Sequence, residues 1–225
     1  MEITFLGHAC LLIKTKECNL IVDPFISGNP LAKEVSVNSI KADYILLTHA
    51  HQDHILDAEA IAKNNNSTIV SNFEIVNYFQ NKGINGHPMN HGGSWKFPFG
   101  TITYTTAIHT SSFPDGSYGG QPGGFVINTD HKTIYIAGDT ALTYDMKLIP
   151  LRHQLDLAVL PIGDNFTMGI EDAIIASDFL NCSKILGYHY DTFGYIEIDH
   201  TKAISQFKEH QKELILLEIY NSLTI

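Results

Sequence analysis

Residues 48–54 read THAHQDH and place three histidines and one aspartate within six positions. They directly follow the apolar run 44–47, which predicts a short buried strand. His49 and His51 alternate, so in an extended segment both imidazoles lie on the same side of the chain. A single HxH pattern is usually a polar surface loop. A second pair of ligand types follows two positions later, however, and this favours a metal site.

Asp53 and His54 form that second pair, and they fall in the turn before a helix predicted to begin near Asp57. Three further potential ligands follow other predicted strands, namely His109, Asp139 and His189. Each has an ordinary interpretation when taken alone, as a buried histidine or as a turn aspartate. Four separate strands that end in a metal-binding side chain indicate a common site, because ligands gather where strand ends and loops meet on a rigid frame.

The seven residues divide into two neighbouring sets with one shared member. His49, His51 and His109 surround one ion, Asp53, His54 and His189 surround a second, and Asp139 lies between them. Each ion then keeps room for a shared water. Open coordination of this kind is typical of catalytic metals, whereas structural zinc sites are closed by four protein ligands.

Other polar residues near strand ends are candidates for supporting roles. His8 and Asp23 also end predicted strands and could orient the ligands by hydrogen bonds, with His8 as a candidate catalytic residue. Thr140 is expected to form a hydrogen bond beside the preceding aspartate, and Tyr190 and Asn165 are expected to line the pocket. For each of them, a buried hydrogen-bonded polar group is the alternative interpretation.

The composition sets limits on the function. The chain has 225 residues, 44% of them hydrophobic and 17% charged, which predicts one domain over residues 1–225. No apolar run reaches the roughly 20 residues that a membrane helix needs, and the start lacks signal-peptide features, so we expect a cytoplasmic protein without membrane contact. Three sparse cysteines indicate reduced thiols.

The formal net charge of −10 argues against a broad nucleic-acid surface, which needs clustered lysine and arginine. A small anionic substrate is still compatible with this charge, because bound metal would invert the charge locally.

The order of the predicted elements indicates the architecture. Hairpins come first in each half of the chain and strand–helix units follow, which favours two packed sheets with helices outside. The Gly- and Pro-rich loop 111–124 lies within the domain, where it is either an active-site lid or a subunit contact in a homo-oligomer. As a lid, it would supply Phe113 and Tyr118 to one wall of the pocket.

Six ordered motifs carry a resemblance to a known family: FLGHACLLI, IVDPFISGNP, DYILLTHAHQDH, TIYIAGDT, LPIGDNFTMG and YHYDTF. They are similar to motifs of the metallo-β-lactamase superfamily and, more narrowly, of metal-dependent hydrolases related to ascorbate-6-phosphate lactonases. The resemblance implies an α+β fold, a four-layer αββα sandwich with metals at one edge. It also implies the same seven metal ligands.

The implied activity is that of a dinuclear hydrolase. Two divalent ions, zinc first with Mn²⁺ or Fe²⁺ as alternatives, would turn a bridging water into a hydroxide nucleophile that attacks a small ester, lactone or phosphorylated substrate. Asp53 could orient that hydroxide. The alternatives are a phosphodiesterase or nuclease with the same two metals, and a metal-binding protein without catalysis. His51 stands where diiron oxygen reductases of this fold carry glutamate, which disfavours redox chemistry.

Overall fold

The computed structural model describes residues 1–225 and contains two seven-stranded sheets. The strands of the first sheet are β1 (Glu2–Phe5), β2 (Leu11–Lys14), β3 (Asn19–Val22), β4 (Tyr44–Leu46), β5 (Thr68–Asn72), β6 (Gly86–Met89) and β14 (Ser222–Thr224). The strands of the second are β7 (Ser94–Phe97), β8 (Gly100–Thr106), β9 (Gly123–Thr129), β10 (Lys132–Ile136), β11 (Leu157–Pro161), β12 (Lys184–Tyr188) and β13 (Glu213–Ile215).

Five α-helices accompany the sheets: α1 (Gln52–Ile55), α2 (Ala58–Asn65), α3 (Phe73–Gln80), α4 (Ile170–Phe179) and α5 (His200–Glu209). Three 3₁₀ segments cover Val37–Ser39, Tyr144–Leu151 and Gly194–Ile196. The sequence pattern predicts a helix over residues 144–153, and Pro150 explains the tighter form because it cannot donate a backbone hydrogen bond. No helix combines the length and the apolar character needed to cross a bilayer.

Both sheets have the same internal organisation. The first has the order β14-β1-β2-β3-β4-β5-β6 and the second has the order β13-β12-β11-β10-β9-β8-β7. In each, the strands that come first in sequence pair antiparallel, and the later ones, from β3 to β6 and from β10 to β13, pair parallel. Short hairpins allow the first kind of pairing, while parallel strands need crossover connections. The predicted order of hairpins and strand–helix units is confirmed.

The layers follow from strands that are apolar on both faces. In β3, Leu20 and Val22 point into a core of 22 buried residues between the sheets, while Ile21 points to a second core of 21 residues on the outer face. In β10, Ile134 and Ile136 face inward in the same way.

Helices cover both outer faces. Residues of α2 and α3 belong to the second core, and residues of α4 and α5 belong to a third core of 19 residues on the second sheet. The predicted four-layer αββα sandwich is therefore confirmed. Because side chains alternate along a strand, a slip of one residue would exchange two cores, and this fixes the strand register.

Candidate metal centre

The ligand candidates lie at the edge of the sandwich where strand ends of both sheets meet. On the first sheet, β4 ends at Leu46 and the chain passes through His49 and His51 into the short helix α1, which carries Asp53 and His54. On the second sheet, each of three strands is followed by one candidate. His109 lies after β8, Asp139 after β10 and His189 directly after β12. The structure brings all seven sequence-predicted ligands together.

The first group consists of three imidazoles. The ligand atoms of His49, His51 and His109 all lie within 4.8 Å of one another. His49 Nε2 is 3.0 Å from His51 Nδ1, and Thr110 Oγ1 is 3.3 Å from His51 Nε2. This group has the composition and spacing needed to hold one divalent ion.

The second group contains Asp53, His54 and His189, and the structure adds His8 to it, with all four ligand atoms within 4.8 Å of one another. His54 Nε2 lies 3.9 Å from Asp53 Oδ2, and His8 Nε2 lies 3.1 Å from the same oxygen. His8 thus contacts the site through Asp53, and its supporting role stays a prediction.

Asp139 lies between the two groups. Its Oδ2 is 2.9 Å from His189 Nε2 and 3.3 Å from His54 Nε2 on one side. On the other side it is 3.6 Å from His109 Nε2 and 3.9 Å from His49 Nε2. The preceding Gly138 has a positive φ of 70°, and a Cβ there would come within 2.5 Å of the Gly123 carbonyl oxygen. This turn therefore needs glycine to bring Asp139 into the centre.

Several buried candidate ligand atoms make no well-aligned hydrogen bond, namely His54 Nε2, His189 Nε2 and Asp139 Oδ1, although both nitrogens lie within 3.3 Å of Asp139 Oδ2. A buried polar atom left unsatisfied costs about 1–3 kcal/mol, and folded proteins rarely leave several close together. Lone pairs of imidazole and carboxylate that converge on one point are what a divalent cation requires. The residues present therefore fit a metal centre.

The electrostatics of the site favour a cation. Burial would lower the pKa of His54, but Asp139, Asp23 and Asp53 outweigh it and raise this pKa well above its ordinary value. Burial would also raise the pKa of Asp139, yet the adjacent His189 and His54 hold it well below the usual range. The surrounding carboxylates therefore stabilise a positive charge at the centre, which a divalent ion would supply in place of the proton on His54.

Buried hydrogen bonds orient two of the imidazoles. Asp23 Oδ2 lies 2.9 Å from His54 Nδ1, so the Nε2 of that ring faces the centre. Thr48 donates from its backbone N–H to Asp23 Oδ1 at 2.8 Å and from its hydroxyl to Oδ2 at 2.6 Å. The same hydroxyl is 3.0 Å from His49 Nδ1. Such partners fix the ring orientation of metal-binding histidines, and Asp23 occupies the position expected for a supporting residue.

Three of the residues around the centre have strained backbones. His8, Asp23 and His189 adopt φ values of 56°, 43° and 55° at or just beyond the ends of β1, β3 and β12. This left-handed region is unfavourable for residues with a Cβ. The backbones of two of them meet across the sheets, since the His189 N–H donates to the His8 carbonyl at 2.8 Å.

Three polar residues named from the sequence have other environments. The Thr140 hydroxyl donates to the Ala141 carbonyl at 2.7 Å and accepts from the Ile108 N–H at 3.0 Å, so it holds the segment before His109 and does not bind the Asp139 carboxylate. Tyr190 is buried beside Phe5, and Asn165 lines a separate cavity. The prediction that Tyr190 and Asn165 line the metal pocket is therefore wrong, because Tyr190 packs on Phe5 and Asn165 faces the neighbouring cavity, while the next residue, Phe166, lines the metal pocket.

Loop 111–124 is fixed to the body of the protein by polar contacts. Asn72 Nδ2 donates to the carbonyls of Gly119 and Gln121 at 2.9 and 3.1 Å, and Ser111 Oγ accepts from the Ala50 N–H at 3.1 Å. His91 Nε2 lies 2.9 Å from the Pro122 carbonyl, which gives this histidine a structural contact.

The aromatic residues of this loop do not reach the metal cavity. Phe113 is buried and stacks on Tyr78 at 3.8 Å, and Tyr118 is exposed away from the cavity lining. The expectation that this loop forms the pocket wall is not met, because long-range hydrogen bonds hold it against the end of β5 and the segment after β4, and Phe113 stacks on α3.

A cavity of about 690 Å³ opens beside the candidate ligands. Its floor includes His51, Asp53, His109, Asp139 and His189. Its walls are aromatic and come from Phe166, Phe193 and Tyr195, which the sequence interpretation missed. The available signal was the place of Phe166 in the motif LPIGDNFTMG and of Phe193 in YHYDTF, shortly after two strands that end at the site, with Tyr195 two residues beyond the second motif.

Comparisons with known proteins agree with this geometry. Residues 2–189 match the Beta-lactamase superfamily domain. A UPF0173 metal-dependent hydrolase of Flavobacterium johnsoniae is 66% identical over 225 residues, and the match covers 100% of both chains. A second, from Christiangramia forsetii, is 67% identical over 226 residues with the same coverage. The chain belongs to the UPF0173 metal-dependent hydrolase family.

This family lies within the β-lactamase superfamily, as the six motifs predicted, whereas the narrower relation to ascorbate-6-phosphate lactonases stays a prediction. Among solved structures, Igni18, a metallo hydrolase of Ignicoccus hospitalis, superposes with a TM-score of 0.89 at 32% identity, covering 99% of this chain and 97% of that one. The fold and the metal-dependent hydrolase family are therefore shown on independent grounds.

Replacement of His8 tests its contact with Asp53. His8→Asn keeps a side chain that tolerates the left-handed backbone but loses the reach to Asp53 Oδ2. We expect kcat to fall about 10- to 100-fold, the usual cost of losing a partner that orients a ligand, while the metal content is retained. Elemental analysis and steady-state kinetics measure the two quantities. His87→Ala, which removes an imidazole packed on Trp95, is the control. Loss of metal from His8→Asn would show that His8 is itself a ligand.

Proposed function

We propose that the protein is a dinuclear metal-dependent hydrolase that acts on a small ester, lactone or phosphorylated substrate. The observation that carries this proposal is the position of Asp139 Oδ2, within 3.9 Å of imidazole nitrogens from both ligand groups. One carboxylate oxygen in contact with both groups is suited to bridge two cations. Zinc is the first candidate for both positions, with Mn²⁺ or Fe²⁺ as alternatives.

In this proposal, His49, His51 and His109 would hold one ion, Asp53, His54 and His189 would hold the other, and Asp139 would contact both. The chemistry that such ions supply when bound is activation of a water at neutral pH and polarisation of a carbonyl or phosphoryl oxygen. The chain itself supplies the orientation. No serine or cysteine nucleophile is needed.

Asp53 is the residue best placed to orient the attacking water. Its side chain is 29% exposed and lines the cavity, whereas that of Asp139 is 3% exposed. Burial would raise its pKa, but His54 and the hydrogen bond from His8 outweigh this and hold the pKa below the ordinary value. Asp53 is therefore an ionised acceptor with one oxygen fixed by His8. A water beside it would donate a hydrogen bond to this carboxylate.

The decisive experiment combines metal analysis with a substrate panel. We expect close to two divalent ions per chain after reconstitution. We also expect hydrolysis of small esters, lactones or phosphoesters with only feeble cleavage of single-stranded RNA and DNA, because no lysine or arginine lines the cavity and polynucleotide binding depends on such residues. Specificity constants for each class, measured at two salt concentrations, give the comparison.

His49→Ala serves as the contamination control for this panel, since it removes a ligand that is fully buried at the centre. Activity that survives in that variant comes from another protein. Polynucleotide cleavage that exceeds every small substrate, falls steeply with salt and disappears in His49→Ala would establish a nuclease instead.

A further inference from the structure

Two loops at the carboxyl ends of parallel strands supply the aromatic wall of the cavity. The loop between β11 and α4 carries Phe166, and the segment after β12 carries Phe193 and Tyr195. The rings of Phe166 and Tyr195 are 6.2 Å apart in an edge-to-face arrangement. Phe193 packs more deeply, with its ring 5.3 Å from that of His8. The wall therefore lies directly beside the candidate metal ligands.

The two outer rings of this wall are unusually open. Phe166 is 50% exposed and Tyr195 is 79% exposed. Large aromatic side chains that are open to solvent at the mouth of a cavity leave apolar surface for a ligand to cover. The cavity of about 690 Å³ has room for a small organic molecule and not only for a water.

The same cavity lacks cationic side chains. None of its lining residues is lysine or arginine, and its two ionisable acids are Asp53 and Asp139. A neighbouring cavity shares Tyr195 and extends the negative character outward. Its acidic lining residues are Asp164, Glu171, Asp172, Glu197 and Asp199, against the single cation Lys202. Bound ions would neutralise Asp53 and Asp139, so a charged group at the far end of a substrate would meet the aromatic rings and, beyond Tyr195, the acidic side chains of the neighbouring cavity.

We propose that this pocket selects an uncharged ester or lactone that carries an aromatic or other flat apolar group, held against Phe166 and Tyr195. This inference rests on the proposed hydrolase function and narrows it by disfavouring substrates that carry a phosphate or carboxylate away from the reacting bond. In the reaction, the water oxygen bonds to the acyl carbon and the carbon–oxygen bond to the alcohol breaks. One proton of the water goes to the alcohol oxygen and the other is released from the new carboxylic acid; in a lactone, the alcohol stays attached to that acid.

Two ester substrates of the same size test the effect of a distal charge while the shape stays nearly constant. 4-Carbamoylphenyl acetate and 4-carboxyphenyl acetate share the reacting ester and differ by one distal negative charge. With the metal-loaded enzyme, we expect kcat/KM for the neutral ester to exceed that for the anionic one by at least about tenfold, because juxtaposed like charges are costly. A ratio near one, or a preference for the carboxylate, overturns the inference.

Substitutions in the aromatic wall test whether the preference for the neutral ester arises from its rings. Phe166→Ala and Tyr195→Ala should each raise KM for the neutral aromatic ester about 2- to 10-fold, the value of one aromatic contact, while kcat and metal content change little. Phe73→Ala and Tyr118→Ala remove exposed aromatic rings elsewhere and are matched controls. Phe166→Lys should shift the preference towards the anionic ester. An unchanged KM together with an altered oligomeric state would assign these rings to a subunit interface and overturn the proposal.

A binding measurement keeps this inference distinct from the hydrolase function. 4-Hydroxybenzamide and 4-hydroxybenzoate, titrated by NMR into the metal-loaded protein, report on the pocket without turnover. Preferred binding of the amide that weakens in Tyr195→Ala supports the aromatic pocket even if no ester is hydrolysed, in which case the hydrolase proposal alone fails. If anionic substrates are turned over efficiently and the wall variants have no effect, the hydrolase proposal is supported and this inference is wrong.

Discussion

Asp139→Ala is expected to lower kcat/KM by at least about 10³-fold and to leave the protein with fewer than two ions per chain. The carboxylate has an oxygen within 3.9 Å of imidazole nitrogens in both ligand groups. Its removal takes away the one anion that both ions would share. Metal-assisted catalysis supplies several kcal/mol of transition-state stabilisation, and each 1.36 kcal/mol corresponds to about a factor of ten in rate.

Elemental analysis and kinetics on the same preparation test this prediction. Asp139→Asn keeps the shape but removes the charge, and it should retain more of the fold while losing most of the activity. Asp115→Ala, which removes an exposed carboxylate in loop 111–124, should behave as the wild type. Full double occupancy with normal activity in Asp139→Ala would rule out a bridging role for this residue.

Removal of the metal is expected to lower the melting temperature by at least about 5 °C. Four candidate ligands belong to the first sheet and three follow strands of the second, so bound ions would connect the two sheets. A ligand that binds only the folded state stabilises it by about 2.7 kcal/mol at a hundredfold excess over its dissociation constant. For a chain of this size, each kcal/mol corresponds to about 2–4 °C.

A melting curve before and after chelation measures the shift, and readdition of zinc should restore the original value. His49→Ala should melt near the chelated wild type and respond little to the chelator, whereas His87→Ala should respond fully. An unchanged melting temperature, with loss of metal verified by elemental analysis, would mean that the ligands do not couple the sheets.

Much of the fold could be predicted from the sequence, because the spacing of apolar residues is a local property of each strand. Strands such as β3 and β10 are apolar on both faces, and this predicts a layer on each side of a sheet. The convergence of the candidate ligands could be predicted for a related reason. Each follows an apolar strand closely, and strand ends of packed sheets converge. Position along a strand therefore predicted position in space for His109, Asp139 and His189.

Three elements were not predicted, for two different reasons. The short edge strand β14 has no fully buried residue, so its pairing with β1 and not a local pattern decides its structure. Helix α5 and strand β5 do carry a local pattern that was overlooked. Helix α5 is amphipathic around the buried Ala203 and Phe207, and β5 contains the buried Ile69 and Val70.

The aromatic wall of the cavity could not be predicted from the sequence for a different reason. Whether an aromatic residue in a loop faces a cavity depends on contacts between distant segments. Phe113 turns inward because Tyr78 offers a stacking partner, and Tyr195 meets Phe166 across 29 positions of sequence. No local pattern contains that information.

The left-handed backbone conformations of His8, Asp23 and His189 lower the stability of the fold but place side chains that the proposed activity needs. Each conformation costs on the order of 1–2 kcal/mol for a residue with a Cβ, and glycine would remove that cost. The side chains of these three residues offset the strain through contacts with Asp53, His54 and Asp139. Glycine would, however, also empty the space of an imidazole that is 1% exposed at His8 and 2% exposed at His189, and such cavities cost about 2–5 kcal/mol. A screen for thermal tolerance in the absence of metal would therefore favour asparagine, which tolerates the left-handed backbone and fills part of the space, whereas a screen for turnover would keep both histidines.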